Sequence, residues 1–284
     1  MASRGILISL AALVSACLTG TISGGAAPAG SYWLSAYNCS KMNCEPPFQS
    51  RKGAWSAATQ DRAEMETGIP FHLGVASGPT FYGKSIAAVQ GDSVTLSNHI
   101  QMANFEKWTR VLKKTAATVN IGPAYAGGHI FDTLTIAGGE GVAYFLPIYE
   151  VEGTFASSGE KFLDSWMALC FGTTQTGCGP KIWDSRGGAS NVHEFYQPKP
   201  TEMLQFQFGE HFQYFVNFYS RIMAPGARVA TVLPGLIRDD ETVDFAIKLV
   251  GVTITDKDGK EIAGAKVVSD SGIDYKVLPP RPAQ

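Results

Sequence analysis

The chain has 284 residues, 45% of them hydrophobic and 17% charged, with a mean hydropathy of +0.01 and a net charge of -2. That balance excludes a disordered chain, and the lack of a periodic Gly or heptad bias excludes collagen and coiled coil. With a pI near 6.2 and no clustering of Lys and Arg, a nucleic-acid binder is excluded as well.

Arg4 precedes an apolar run from Gly5 to Val14, and small residues follow. This is the pattern of a signal peptide. The run is shorter than the roughly 20 apolar residues of a membrane helix, and no later stretch reaches that length, so no transmembrane span is expected. Two processing routes remain open. Val14-Ser15-Ala16-Cys17 resembles a bacterial lipobox, in which Cys17 would carry lipid; Ala27-Pro28-Ala29 offers ordinary cleavage instead. Residues 1–29 are accordingly read as signal peptide and spacer, 30–278 as one domain and 279–284 as a flexible tail.

Five cysteines are an odd number for an exported chain. Either route modifies or discards Cys17, leaving Cys39 with Cys44 and Cys170 with Cys178 as two local disulfides. Their spacings, with four and seven residues between, do not fit zinc knuckles. Asn38-Cys39-Ser40 is formally a glycosylation sequon.

Glycines, 31 in all, punctuate short runs of β-branched and aromatic residues, the rhythm of a sandwich or barrel. Helical spacing of Met102, Phe105, Trp108 and Leu112 predicts one helix near 100–116, with Ser97 or Asn98 as cap. Strands are expected at Ile130–Ile136, Val142–Phe155 with a break at Pro147, Leu163–Phe171, Leu204–Phe218 and Arg228–Leu233. In Val243–Leu249 the odd positions are large and apolar, and the apolar phase shifts across Val250-Gly251 to Val252 and Ile254, as a bulge requires. Asp258-Gly259 reverses the chain, and Ala265–Val268 is expected to pair back as a terminal hairpin. No long helical crossover follows any of these strands, so the expected fold is an all-β, antiparallel, jelly-roll-like sandwich.

Asp132-Thr133-Leu134-Thr135-Ile136 with Gly138-Gly139, Phe206-Gln207-Phe208-Gly209 through Phe212, and Val252–Asp256 leading to Ser269–Tyr275 resemble secreted bacterial β-sandwich proteins. Members of that group often carry a PEP-type C-terminal sorting signal. The resemblance spans about residues 115–275 and implies export and a jelly-roll-like sandwich, without catalytic residues to transfer. The ending VLPPRPAQ lacks the Pro-Glu-Pro motif, apolar anchor and basic tail, which leaves Cys17 as the better anchoring candidate.

Candidate chemistry is sparse. Glu150 and Glu152, two apart on a strand, share a face and could form a glycosidase-like pair, but outward solvated carboxylates are the simpler explanation. His72, His99, His129, His193 and His211 show no metal-ligand spacing. Asp256–Glu261 begins like a calcium loop but lacks later ligands. Aromatics are richer: from Leu204 to Tyr219, Phe206, Phe208, Phe212, Tyr214 and Phe218 share one parity, with Phe215 and Tyr219 opposite. One parity should build the core, and the other could stack on sugars. Trp183, expected on a loop after the Cys170–Cys178 turn, is a further ligand candidate. The reading is an exported, non-enzymatic structural or adhesive module of the cell surface or extracellular matrix, with a carbohydrate-binding module as the alternative and a glycan hydrolase behind it. No cofactor is called for.

Overall fold

The computed structural model describes residues 30–38, 49–70, 72–75, 80–103, 124–159, 163–173, 181–185, 190–197, 203–223 and 238–280. Fourteen strands follow in order: β1 (Ser31–Tyr37), β2 (Gln49–Ala54), β3 (Gln60–Thr67), β4 (Thr80–Gln90), β5 (Ser93–Ala103), β6 (Ala124–Ala137), β7 (Val142–Gly159), β8 (Asp164–Gly172), β9 (Lys181–Asp184), β10 (Asn191–Tyr196), β11 (Leu204–Gln207), β12 (His211–Met223), β13 (Arg238–Thr255) and β14 (Lys266–Ser269). Among the described residues there is no α-helix, hence none long and apolar enough to cross a membrane.

The strands form two antiparallel sheets. Sheet A runs β2-β1-β6-β12-β8-β9 and sheet B runs β10-β7-β13-β5-β4-β3. One long strand in each sheet shares a flank between two short partners: β1 and β14 lie along β6, and β10 and β11 lie along β7. The chain crosses repeatedly from sheet to sheet between β5 and β8, in the jelly-roll manner.

Period-two alternation builds the core. Ile130, Leu134 and Ile136 of β6 and Tyr214, Val216 and Phe218 of β12 point inward from sheet A, against Leu96 and Ile100 of β5 and Val243, Phe245 and Ile247 of β13. The phase shift in β13 is real: its register against β7 slips between Leu249 and Gly251. Pro147 does not break β7: it pairs with Val252 just past this bulge, and on its other flank it falls in the gap between β11, whose pairing ends at Phe145, and β10, whose pairing begins at Tyr149.

Polar contacts rivet the two layers. Asn98 Nδ2 donates to Ser220 Oγ at 2.7 Å, Tyr32 OH to Asp61 Oδ2 at 2.5 Å, and Ser165 Oγ to Glu241; the Tyr149 and Tyr214 hydroxyls also meet. All but the part-buried Tyr32–Asp61 contact lie in the interior, where each satisfies a group that would otherwise be orphaned.

Three expectations change on contact with the structure. Ile100–Ala103, the start of the expected helix, continue strand β5, because Ile100 and Met102 alternate inward with period two; residues 104–116 lie outside the described set. Leu204–Phe218 is two strands, divided by a turn at Phe208–Glu210, and they join different sheets. The turn after β13 forms as expected: Gly259 has φ 78°, and Asp256 Oδ1 accepts from the amides of Asp258 and Lys260 at 2.9 Å. The chain returns on β13 only through a short antiparallel bridge at Thr255 and Glu261, with the Ile262 amide donating to the Ile254 carbonyl at 3.0 Å, and Ala265–Val268 does not pair there. Instead, β14 crosses to sheet A and pairs with Leu134–Ala137 of β6. The Arg228–Leu233 strand lies outside the described residues, as does the signal region with Cys17.

Candidate functional site

Sheet A turns an aromatic face outward. Register decides which residues share it. Trp33 of β1, His129 of β6 and Asn217 of β12 lie in one cross-strand row; Ser35, Gly127 and Tyr219 form the next; Tyr37, Tyr125, Arg221 and Trp166 the third. Phe131 and Phe215 pair beside the first row.

The rings form two continuous chains. In one, Trp33 stacks on His129 with centroids 5.3 Å apart, His129 meets Phe131 edge-on at 4.9 Å, and Phe131 reaches Phe215 at 5.9 Å. In the other, Tyr37 stacks on Tyr125 at 5.0 Å, Tyr125 on Tyr219 at 6.2 Å, and Trp166 meets Tyr219 edge-on at 5.3 Å. These are the offset and T-shaped geometries that ring quadrupoles favour. The Arg221 guanidinium lies 6.0 Å from the Trp166 ring. Gly127 is the floor between the chains: a Cβ there would lie 2.6 Å from Tyr219 Cβ and 2.7 Å from the Tyr125 hydroxyl. Only glycine lets the rings close over that spot.

The face is half-buried. Burial pushes His129 down to about 4 and raises the Tyr125 and Tyr219 phenols, Arg221 partly opposing the last. His129 is therefore a neutral ring at physiological pH. Polar groups are set among the rings, and the buried Asn217 Oδ1 and Arg221 Nε have no hydrogen-bond partner among the described residues.

Phe215 and Tyr219 thus lie where strand parity places them, with Tyr214 and Phe218 on the core side. Trp183 does not join them. It lies in β9 rather than on a loop, points inward and is 7% exposed, packed edge-on to Tyr196, with Nε1 donating to Glu194 Oε1 at 2.9 Å. Such a ring cannot stack on a ligand; it closes the core where β9 and β10 meet. Trp33, Tyr37, Tyr125, His129, Phe131 and Trp166 carry the same two-residue spacing as Phe215 and Tyr219, and parity applied to β1, β6 and β8 would have found them.

The outer face of sheet B differs in kind. Thr95, Thr154, Asp244, Ala246 and Lys248 are exposed there, beside Glu150, Glu152 and His193, and the face holds an open depression of about 530 Å³. Glu150 and Glu152 do share a face on β7, as their spacing requires. The Asn38 amide donates inside the protein to the carbonyls of Met65 and Gly83 at 2.8 and 2.9 Å, so the sequon asparagine is occupied structurally. Of the five cysteines only Cys170 is described; it is buried in β8 and disulfide-bonded. No pair of cysteines falls among the described residues, since Cys39, Cys44 and Cys178 lie outside them.

What fold and faces define is an all-β sandwich with one aromatic and one polar surface. No family model and no curated protein matches the chain. Among solved structures, the infectious bursal disease virus Gx strain is similar at 9% identity with a TM-score of 0.16, covering 79% of this chain and 63% of that one. The chain thus spans less than two thirds of the viral chain, and a likeness so slight carries no argument.

Proposed function

We propose that the protein is an exported, non-enzymatic adhesive sandwich of the cell surface or extracellular matrix, which holds carbohydrate on the aromatic face of sheet A. One observation supports this above the rest: eight aromatic or imidazole rings from four adjacent strands occupy a single outer face, interleaved with Asn217 and Arg221. Sugar rings stack their C–H faces on such platforms while hydroxyls take hydrogen bonds from groups at the edges. A planar row held by a sheet is already ordered, so binding spends little entropy on arranging it. The leader sequence supports export, and Cys17 supports a lipid tether.

A glycan array tests the reading. The mature protein is expected to retain a defined set of glycans, and Tyr219→Ala and Trp33→Ala to lose them while keeping their circular dichroism. Failure across a broad array, or unchanged binding by both variants, would refute it.

A further inference from the structure

A second constellation occupies the opposite side of the molecule. His193 of β10 lies directly across from Glu152 of β7, and Glu150 stands two residues earlier on the same face. His193 Nε2 is 3.7 Å from Glu150 Oε1 and 3.6 Å from Glu152 Oε1. One ligating atom from each of the three residues falls within 4.8 Å of the others. These separations are too long for direct hydrogen bonds. They approach the spacing of about 3.4 Å that a tetrahedral ion with bonds near 2.1 Å imposes on its ligands. Lys248 is the cross-strand neighbour of Glu150 on β13, yet the Glu150 carboxylate faces His193.

We propose that Glu150, Glu152 and His193 form a three-ligand site for a divalent transition-metal ion of the zinc class. An imidazole with two carboxylates suits zinc and its neighbours, whereas calcium and magnesium favour oxygen ligands alone. Strand pairing fixes the donors: the i, i+2 spacing brings both carboxylates to one face, and the register sets the imidazole opposite. Their side chains are 31%, 57% and 66% exposed, so an ion enters without rearrangement. The remaining coordination position opens onto the adjoining depression lined by Thr154, Asn191 and Asp244, where water or a ligand oxygen completes the shell. This site lies on the sheet opposite the aromatic face and stands or falls separately from glycan binding.

Calorimetric titration of the mature protein with zinc chloride, read beside native mass spectrometry, tests it. One zinc per chain is expected, with affinity lowered about 10- to 100-fold or more in His193→Ala and in Glu152→Gln. His72→Ala, which removes another exposed histidine, should leave binding unchanged. Cobalt substitution should give visible absorption bands that His193→Ala abolishes. All three substitution sites are on the surface, so equal unfolding midpoints without metal show that the variants fold. No zinc uptake at about 100 µM, or the same stoichiometry and affinity in His193→Ala, overturns the proposal.

Discussion

Replacing Asp132 is expected to cost more stability than almost any other single change. Its side chain is 2% exposed, on the inward face of β6. Oδ2 accepts from Ser269 Oγ at 2.6 Å, Ser271 Oγ at 2.7 Å and the Tyr275 hydroxyl at 2.9 Å. Oδ1 accepts from the amides of Thr133 at 2.9 Å and Ser271 at 3.3 Å. Asp132→Ala strands the buried hydroxyls of Ser271 and Tyr275 and the half-buried one of Ser269, and the two serines can still bond each other at 2.6 Å. An unsatisfied buried donor costs about 1–3 kcal/mol, so the few donors left without a partner together cost about 3–5 kcal/mol. With a urea m-value of about 2–3 kcal/mol/M, the unfolding midpoint should fall by roughly 1–2 M. Equilibrium urea unfolding followed by tryptophan fluorescence measures this. A double-mutant cycle with Ser271→Ala sharpens it: the serine change should cost much less once the aspartate is gone. A loss below about 1 kcal/mol in Asp132→Ala, or full additivity in the cycle, would refute the assignment of Asp132 as the hub.

Other outcomes follow from the same coordinates. Trp183→Ala empties a core position and orphans the Glu194 contact, so a loss of about 3–5 kcal/mol is expected by chemical denaturation; a near-neutral result would mean the ring is not packed as described. Gly127→Ala should destabilise the protein and weaken glycan retention together, because the added methyl meets both Tyr219 and Tyr125; an unchanged melting temperature counts against the close packing. Burial depresses His129, so the unfolded chain takes up its proton first: the contribution is in place above 6.5 and is lost as pH falls toward about 4. Histidine NMR should show a neutral His129 ring at pH 6. Glu241 behaves oppositely. Burial raises its carboxyl above the ordinary value of 4.5, against the Ser165 and Ser157 hydroxyls, so its contribution is present below that value and is lost as pH rises through the folded value. Glu241→Gln should therefore gain stability over the parent at pH 7 and lose that advantage in acid, which paired melts at the two pH values will report.

Side-chain parity made much of this molecule legible from its residues. The alternation in Val243–Leu249 and its slip at Val250-Gly251 required a bulged strand, and one is present. The opposite facing of Phe215 and Phe218 followed from the same rule. Parity is local, however, and says nothing about which sheet a strand joins. Ala265–Val268 therefore looked like a hairpin partner for β13, whereas the strand there, Lys266–Ser269, makes its hydrogen bonds to β6. Trp183 looked exposed because β9 is only four residues long and its flanks carry turn residues; the inward pull comes from Tyr196, Phe245 and Glu194, contacts that close only when β9 and β10 meet at the sandwich edge. The Asp132 hub was hidden for the same reason, since its serine and tyrosine partners lie 137 to 143 residues away.

The passage from Lys266 to Leu278 touches both layers: β14 lies on β6, Ser271 and Tyr275 grip Asp132, and the Leu278 amide donates to the Val252 carbonyl at 2.8 Å. It works as a clasp, fastened only after both halves exist, while the loop leading to it, Lys257–Lys260, is exposed. A protease cutting that loop would sever the backbone and leave the clasp shut, so a nicked molecule should run as two pieces in denaturant and as one in native buffer.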